Sequence, residues 1–219
     1  MTIDMDIDIT TDGTTRVLEP ATAAIAAIGR GELVVVVDDE DRENEGDLVM
    51  AADLVTPEAI NFMITHGKGL VCLALTQGRA EDLGLPPMVR ANEDNMGTAF
   101  TVSIDGTRAR GVTTGISATE RALTIGLAVT GKAVDLQRPG HVFPLIARAG
   151  GVLTRQGHTE ASVDLARAAG REPSGVIVEI IGEDGEMLRR DDLRRFADGH
   201  GLVMTSIELL REHLLQQEV

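Results

Sequence analysis

The sequence DDEDRENEGD, residues 38–47, places seven carboxylates and one arginine within ten positions. It directly follows an apolar run at 33–37 that ends in four valines, and a second apolar run at 48–52 begins immediately after it. An uninterrupted apolar run of this length predicts a strand that is buried on both faces. The acidic segment therefore leaves a sheet at a strand end, which is where α/β proteins commonly place their chemistry.

The charge of this segment favours a bound cation. So many carboxylates in one short loop repel one another, and their pKa values rise unless they share a positive charge. A solvated acidic turn is the alternative, but Arg42 between the acids and Gly46 before the next strand favour a built site. A calcium loop beginning at Asp41 would need its closing glutamate at Ala52. An open magnesium site, completed by substrate and water, fits the segment better.

The composition narrows the class of partner. A formal net charge of −15 argues against nucleic acid or an anionic membrane, because both would be repelled. No apolar run approaches the length of a membrane span, and the acidic N-terminus is unlike a targeting signal, so we expect a cytoplasmic protein. Cys72 is the only cysteine, which excludes disulfide scaffolds and cysteine zinc sites and favours a buried apolar role for this side chain. The absence of Trp and Tyr favours a small polar substrate.

Strand and helix patterns interleave along the chain without regular alternation. They predict strands at 33–37, 48–52, 69–75, 98–104, 142–149, 176–181 and 202–204, and helices at 20–28, 57–66, 77–84, 117–129, 159–169, 191–197 and from 205 onward. The predicted fold is α+β, a single three-layer α/β/α domain with a mixed sheet over residues 17–219. A mobile arm is expected at 1–16.

Local signals mark the helix starts and one long loop. Thr56 is an expected N-cap, and Ser117 and Thr205 each open an expected capping box. Residues 85–97 contain two adjacent prolines and several polar residues, which predict a loop able to close over a site.

A second segment, residues 137–159, carries three arginines, two histidines and no acid. In a strongly acidic chain this is the local exception that an anionic ligand requires. Its last residues, from Arg155 to Thr159, run into a predicted helix. A helix N-terminus with an arginine and a glycine beside it suits a phosphate. An ordinary polar helix cap is the alternative.

Four other polar positions each have two interpretations. His158 is a metal ligand or a neighbour of the helix cap, and His141, expected on a rigid turn, is a catalytic imidazole or a structural one. Thr113 and Thr114 hold a phosphate or simply turn the chain. The acidic and basic segments together indicate a metal-assisted reaction on a phosphorylated polyol or sugar. An aldolase or isomerase with the same site, or a cation-dependent binding module, stays open from the residues alone.

The same segments resemble the 3,4-dihydroxy-2-butanone 4-phosphate synthase family of riboflavin biosynthesis. The similarity covers, in order, the motifs DDEDRENEGDLVMAA, HGKGLVCLAL, GTAFTVSID, GVTTGISATER, RPGHVFPLIARAGGVLTRQGHTEASVDLARAAG and GVIVEI. The resemblance implies conversion of D-ribulose 5-phosphate to L-3,4-dihydroxy-2-butanone 4-phosphate and formate, by enolisation, dehydration, skeletal rearrangement and formate release. It also implies two Mg2+ or Mn2+ ions per active site, and a cytoplasmic homodimer with sites near the subunit interface.

The resemblance also assigns roles to individual residues. Glu43 would be a ligand of both metal ions and His158 a ligand of one. His141 and Glu179 would transfer protons, and Glu45 would be a further base or a support for the metal ligands. A carboxylate inside a predicted apolar strand is costly unless it is used or paired, which fits a functional Glu179. Substrate contacts would come from Arg42, Glu43, Asp47, Arg155, Gln156, Gly157, His158, Thr159 and Glu179, with Arg155 and Thr159 on the phosphate.

Overall fold

The strands of this protein form a seven-stranded sheet and a separate two-stranded hairpin. The computed structural model describes residues 9–11, 14–16 and 18–217. The strands are β1 (Ile9–Thr11), β2 (Thr14–Arg16), β3 (Val34–Val37), β4 (Gly46–Ala51), β5 (Cys72–Leu75), β6 (Ile104–Gly106), β7 (Leu136–Ile146), β8 (Ser174–Glu179) and β9 (Val203–Ser206). The helices are α1 (Ala21–Gly29), α2 (Pro57–Phe62), α3 (Gln77–Asp82), α4 (Ala118–Thr130), α5 (His158–Ala168), α6 (Arg190–His200) and α7 (Ile207–Gln217).

The larger sheet is mixed, with the strand order β6-β7-β5-β8-β4-β3-β9. Strand β3 is parallel to β9 and β5 to β7, while the other four neighbouring pairs are antiparallel. Strands β3 and β4 form a hairpin around the acidic segment, with Val37 opposite Gly46. Strand β8 pairs with β4 on the other side, so that Asp47 lies opposite Glu179. The register therefore brings two carboxylates from distant parts of the chain together at one end of the sheet.

Alternate side chains of each strand enter two different cores. In β3, Val35 and Val37 pack with buried residues of α2, α3, α4 and α6. Val34 and Val36 pack on the other face with buried residues of α1, α5 and α7. Side chains along a strand alternate in direction, so a sheet covered on both faces reads as a continuous apolar run. The predicted α+β fold, with three layers and a mixed sheet, is confirmed.

The predicted strand 98–104 is wrong in most of its length. Thr101 and Phe100 form isolated bridges to different partners, and the regular strand β6 begins at Ile104. Because neighbouring residues pair with different segments, this stretch does not form one continuous ladder. It lies instead against the loop at 85–97, whose Pro87 is the partner of Thr101.

The expected turn at His141 is also wrong, because this residue lies inside the long strand β7. Strand β6 pairs with β7 on both sides of His141. Gly106 lies opposite Leu136 and Ile104 lies opposite Val142, with a register shift between them. Residues 138–141 of β7 have no partner in β6, so the irregularity that proline and glycine introduce is accommodated inside the strand.

The helix caps are partly as predicted. Thr56 and Ser117 each accept a backbone N–H from three residues further on, both at 3.2 Å. The capping box at Ser117 is incomplete, because Glu120 directs its carboxylate to the preceding loop. At the last helix Ser206 is the cap rather than Thr205, because Thr205 belongs to β9 and is fully buried.

The predicted mobile arm at 1–16 lies partly outside the described residues, which exclude 1–8, 12 and 13. Within it, β1 and β2 pair antiparallel with Ile9 opposite Arg16. The division into an arm and a single domain stays a prediction. Across the described ranges, none of the helices combines the length and the apolar character that crossing a membrane requires.

The burial of Leu165 generates a stability prediction. This side chain lies on α5, fully buried in the core that α1 and α7 also cover. Leu165→Ala should lower the free energy of unfolding by about 2–5 kcal/mol, the cost of lost burial plus a cavity. Leu215→Ala on α7, where the side chain is 42% exposed, is the matched control and should change it by less than about 0.5 kcal/mol. Urea unfolding followed by circular dichroism measures both, and equal losses would contradict the assignment of this core.

Candidate active site

The acidic loop is organised around a buried carboxylate at its start. Asp38 accepts backbone N–H bonds from Glu43 at 3.0 Å and from Glu45 at 2.8 Å. The guanidinium of Arg42 donates to Asp38 at 2.9 Å and to Glu43 at 2.6 Å. Hydrogen bonds to an ionised acceptor are the strong ones, so Asp38 holds the loop backbone in one conformation. No pattern in the sequence distinguishes Asp38 from the other acids of the segment 38–47.

Two arginines at the start of α6 hold the same loop from outside. The guanidinium of Arg189 donates to the backbone carbonyl of Glu43 at 3.0 Å and to that of Asn44. Arg190 donates to the carbonyl of Asp38 at 3.2 Å. Asn44 has a φ of 54°, a left-handed conformation that such contacts stabilise. The loop is therefore fixed through its backbone, which leaves the carboxylates of Glu43 and its neighbours for other partners.

His158, the first residue of α5, joins the helix to the acidic loop. Its buried ring places Nε2 at 3.1 Å from the carbonyl oxygen of Val36 and Nδ1 at 3.7 Å from Oε2 of Glu43. A hydrogen bond from Nε2–H to a backbone carbonyl leaves Nδ1 toward the carboxylate, the arrangement that orients metal-ligating histidines. Burial lowers the pKa of His158, but the charges of Asp47 and Glu43 outweigh it and raise that pKa to about 9.

Burial and repulsion give the neighbouring acids very different pKa values. The contact with His158 outweighs burial and lowers the pKa of Glu43 to about 2. Burial raises the pKa of Asp47 to about 7, with the charge of Glu179 adding to the effect and that of His158 opposing it. Burial and the charge of Glu43 also raise the pKa of Glu45. The site thus contains more negative charge than its own cations neutralise.

This arrangement fits a divalent cation. One ligand atom from each of Asp38, Glu43 and His158 lies within 4.8 Å of the others. Carboxylate oxygens are the ligands that hard divalent ions prefer, and Asp38 is already committed to the loop N–H groups. A cation held by Glu43 and His158 would stabilise the ionised form of Asp47, whose pKa is raised first by burial and then by the charges of Glu179 and Glu43. Glu43 and His158 thus lie close enough to share an ion, and their role as metal ligands stays a prediction.

These side chains surround a cavity of about 150 Å³. It is lined by Arg42, Glu43, Glu45, Asp47, Cys72, Thr98, Phe100, Leu145, Arg155, His158, Thr159, Ile177 and Glu179. Seven predicted site residues are thus brought together, namely Arg42, Glu43, Asp47, Arg155, His158, Thr159 and Glu179. The acidic and basic segments of the sequence meet here, as expected from their positions at strand ends.

Three predicted residues do not line this cavity within the described chain. Gln156 is exposed, and Gly157 is the N-cap of α5. A Cβ on Gly157 would lie 2.2 Å from Nη1 of Arg155, so glycine leaves room for the guanidinium. His141 lies elsewhere on β7, where its half-exposed ring contacts Asp105 at 2.8 Å.

Arg155 connects α5 to the loop at 85–97. Its guanidinium donates to Glu160 at 2.6 Å, to the carbonyl of Met96 at 3.1 Å and to the hydroxyl of Thr98 at 3.3 Å. Because Glu160 is buried, its charge balances that of Arg155 inside the protein. These bonds hold the end of the loop beside the cavity, while a contact from Arg155 to a phosphate stays a prediction.

Two cavity residues come from segments that look like ordinary core in the sequence. Oε2 of Glu179 accepts the backbone N–H of Leu70 at 2.8 Å, and Gly69 makes room for it, since a Cβ there would lie 2.4 Å away. Cys72 is buried as predicted, and it also lines the cavity. Burial raises the pKa of its thiol, with Glu179 and Asp47 adding to the effect, so the side chain stays protonated.

The loop before α4, which contains Thr113 and Thr114, is bound by the side chain of Glu120. The carboxylate of Glu120 accepts bonds from the hydroxyl of Thr113 at 2.6 Å and from the backbone N–H of Gly115 at 2.8 Å. These bonds to Thr113 lower the pKa of Glu120 to about 2. The protein's own carboxylate thus binds the hydroxyl and N–H groups of this loop, and a phosphate contact of Thr113 or Thr114 stays a prediction.

The three-layer fold and the acid-lined cavity define a class, an α+β protein with a candidate metal site for a small anionic molecule. Residues 22–213 match the family model of 3,4-dihydroxy-2-butanone 4-phosphate synthase. The chain belongs to that family.

Similar proteins are found among curated sequences. The riboflavin biosynthesis protein RibBA of Aquifex aeolicus is 59% identical over 197 residues, covering 89% of this chain and 48% of the relative. The 3,4-dihydroxy-2-butanone 4-phosphate synthase of Photobacterium phosphoreum is 54% identical over 198 residues, covering 90% of this chain and 54% of the relative. The chain therefore spans about half the length of these relatives.

Solved structures match the fold along nearly the whole chain. A 3,4-dihydroxy-2-butanone 4-phosphate synthase in complex with two magnesium ions is 44% identical, with a TM-score of 0.87, and covers 92% of this chain and 99% of that one. The two-domain synthase of A. baumannii is 52% identical, with a TM-score of 0.84, and covers 88% of this chain and 56% of that one.

The contacts of Arg189 predict a role in metal affinity. Arg189→Ala removes two charge-assisted bonds to the loop that carries Glu43, so we expect magnesium to bind about tenfold more weakly. Calorimetric titration with magnesium measures this directly. The matched control is Arg195→Ala on the same helix, where the arginine pairs with Asp192 on the surface. Equal magnesium affinity in both folded variants would show that the loop does not need this clamp.

Proposed function

We propose that this protein converts D-ribulose 5-phosphate to L-3,4-dihydroxy-2-butanone 4-phosphate and formate, a step of riboflavin biosynthesis in the cytoplasm. Family membership supports this proposal. The observation that carries it is the cavity in which Glu43, His158, Asp47 and Glu179 meet beside the start of α5. The binding site of a sugar phosphate needs two regions, one for the ions that hold its oxygens and one for its phosphate.

The proposed cofactor is a pair of magnesium ions, with manganese as the alternative. The relative of known structure with two magnesium ions supports this number. Glu43 would hold both ions and His158 one, since Nδ1 and Oε2 already face each other at 3.7 Å. When bound, the ions would stabilise the negative charge that builds on the substrate oxygens during enolisation.

The chain's own acids would hold and move protons. Glu179 would act through Oε1, because its Oε2 accepts the N–H of Leu70. Asp47, opposite Glu179 across the strand pair, has a pKa raised to about 7 and so suits a hydrogen bond to a substrate hydroxyl in either protonation state. Glu45, with its raised pKa, is a further candidate base. Asp47, the buried member of the three, would help to keep water from the reacting carbons.

The phosphate would lie at the start of α5. The first turn of a helix has N–H groups without backbone partners and a positive dipole end. Thr159 and Arg155 both line the cavity there, and Arg42 lines the same cavity. The backbone at Gln156 would contribute its N–H, because its side chain is exposed. The N–H of Gly157 donates to the carbonyl of Arg155 at 2.9 Å, so Gly157 would serve by leaving room for the ligand.

We also propose that the protein acts as a homodimer in which a second copy supplies His141. The resemblance requires this imidazole at the reacting atoms, yet it lies outside the cavity of its own chain and is half exposed. A twofold dimer would place the β7 surface of each copy over the cavity of the other. The site would then be complete only between two chains.

The test of the proposed reaction is a formate assay with D-ribulose 5-phosphate and magnesium. Formate and the four-carbon phosphate should form in equal amounts, and excess EDTA should abolish both. An isomerase or aldolase would release other products and no formate. Substrate binding without any product would favour a binding module and overturn the proposal.

Mixing two inactive variants tests the shared site. His141→Asn and Glu179→Gln should each keep substrate binding and lower turnover at least about a hundredfold, because each removes a proton-transfer group. After unfolding and refolding together in equal amounts, half of the dimers should contain one chain of each kind. In each of these, one of the two sites is intact, so about a quarter of the native activity should return. No recovery, with mixed dimers confirmed by mass spectrometry, would mean that both residues act within one chain.

The contacts of Arg155 call for a substitution that separates binding from folding. Arg155→Ala would leave Glu160 buried and unpaired, so this variant should lose stability as well as substrate. Arg155→Lys keeps the charge but loses the two-pronged geometry, and should raise KM about tenfold with the unfolding free energy nearly unchanged. Inorganic phosphate should also inhibit this variant less strongly than the native enzyme. An unchanged KM in Arg155→Lys would assign Arg155 to holding the loop at 85–97.

A further inference from the structure

We propose that Asp105 is the positioning residue for His141, fixing which ring nitrogen exchanges protons with the substrate. The proposal rests on the function proposed for His141. One carboxylate oxygen of Asp105 accepts the backbone N–H of His141 at 2.9 Å, and the other lies 2.8 Å from its ring nitrogen Nδ1. The aspartate side chain is 3% exposed and that of the histidine 43%. A buried acceptor thus grips one edge of the ring and leaves the other edge open.

Strands β6 and β7 lie close enough together here for Asp105 to contact His141. The N–H of Gly140 donates to the hydroxyl of Ser103 at 3.1 Å, next to the bond from His141 to Asp105. A Cβ on Gly140 would lie 2.0 Å from the backbone carbon of Ile104, so only glycine allows the strands to approach this closely. The register shift of β6 lies between Ile104 and Asp105. The bulge therefore sits at the carboxylate, and bulges commonly redirect a side chain.

The loop before α4 closes over the same carboxylate. Gly115 has a φ of 87°, and a Cβ there would lie 2.1 Å from Oδ2 of Asp105. The loop is held in this place by its bonds to Glu120. Asp105 is therefore covered by this loop as well as by β7, and exclusion of water strengthens the hydrogen bonds that it accepts.

The chemistry of a carboxylate then determines the tautomer. An ionised carboxylate only accepts hydrogen bonds, so both the backbone N–H and the Nδ1 position of His141 must donate. Nδ1 thus carries a proton in the neutral ring, and Nε2 carries the lone pair. Nε2 is the atom that can take a proton from the substrate and return it. This is the division of roles seen wherever an aspartate orients a catalytic imidazole.

The decisive variant is Asp105→Asn. An amide has one acceptor oxygen, which the backbone N–H of His141 would occupy, so the NH2 group would face Nδ1 and force the proton onto Nε2. Turnover should fall at least about a hundredfold while KM changes less than about threefold. Nitrogen-15 spectra of the His141 ring should show Nδ1 protonated in the native protein and Nε2 protonated in the variant.

The matched control is Asp135→Asn. Asp135 is also a buried acid beside the end of β6, but it pairs with Arg110 at 2.6 Å and accepts the N–H of Lys132 at 2.8 Å. This variant should lose stability and keep both the native turnover and the native His141 tautomer. It separates the effect of losing a buried charge from the effect of losing the contact with His141.

Each outcome decides the proposal. Native His141 with its neutral proton on Nε2 would overturn it, and that spectrum needs neither the variant nor any activity. Native turnover in Asp105→Asn with the tautomer reversed would overturn it as well. If native protein forms no formate, the proposed function fails, while the tautomer spectra of native protein and variant still show whether Asp105 sets the ring.

Discussion

Repulsion between closely spaced carboxylates is the constraint on which this site depends. Four acids, Glu43, Glu45, Asp47 and Glu179, line one cavity of about 150 Å³. The strand register forces the last two together, and the loop held by Asp38 brings the first two. Asp47 is the buried member of the four, and burying a carboxylate costs stability, which the apolar cores on both faces of the sheet offset. Under the proposed function, this charge would make the cavity attract cations.

The sheet and its layers could be predicted from the sequence because burial leaves a periodic record. The valine run of β3 is apolar at every position, since its alternate side chains enter different cores. The helix starts at Thr56 and Ser117 carry their caps in the sequence. The errors fall where tertiary pairing overrides the local pattern. Proline and glycine before His141 indicate a turn, but these residues form a stretch inside β7 that has no partner in β6.

Site residues could be predicted where a segment of the sequence carries an unusual density of charge, and could not be predicted where the segment has an ordinary composition. The acidic and basic segments stand out in the sequence, whereas Cys72 looks like ordinary core and lines the cavity all the same. Asp105 and Arg189 carry no local signal, because each acts on a residue far away in the sequence. The position of His141 outside its own chain's cavity is a matter of three-dimensional arrangement, and no pattern of residue types contains it.

The adjacency of His158 and Thr159 at the start of α5 has a consequence for substrate selection. One residue faces the acids and its neighbour lies at the proposed phosphate position, both on the first turn of a buried helix. For the proposed substrate, the fixed spacing of His158 and Thr159 would set the distance between the phosphate and the oxygens that the ions hold. A substrate with a shorter or longer carbon chain could place either its phosphate or its metal-bound oxygens correctly, but not both. The rigid backbone of α5 would thus select substrates by the length of their carbon chain, without the entropic cost of ordering side chains.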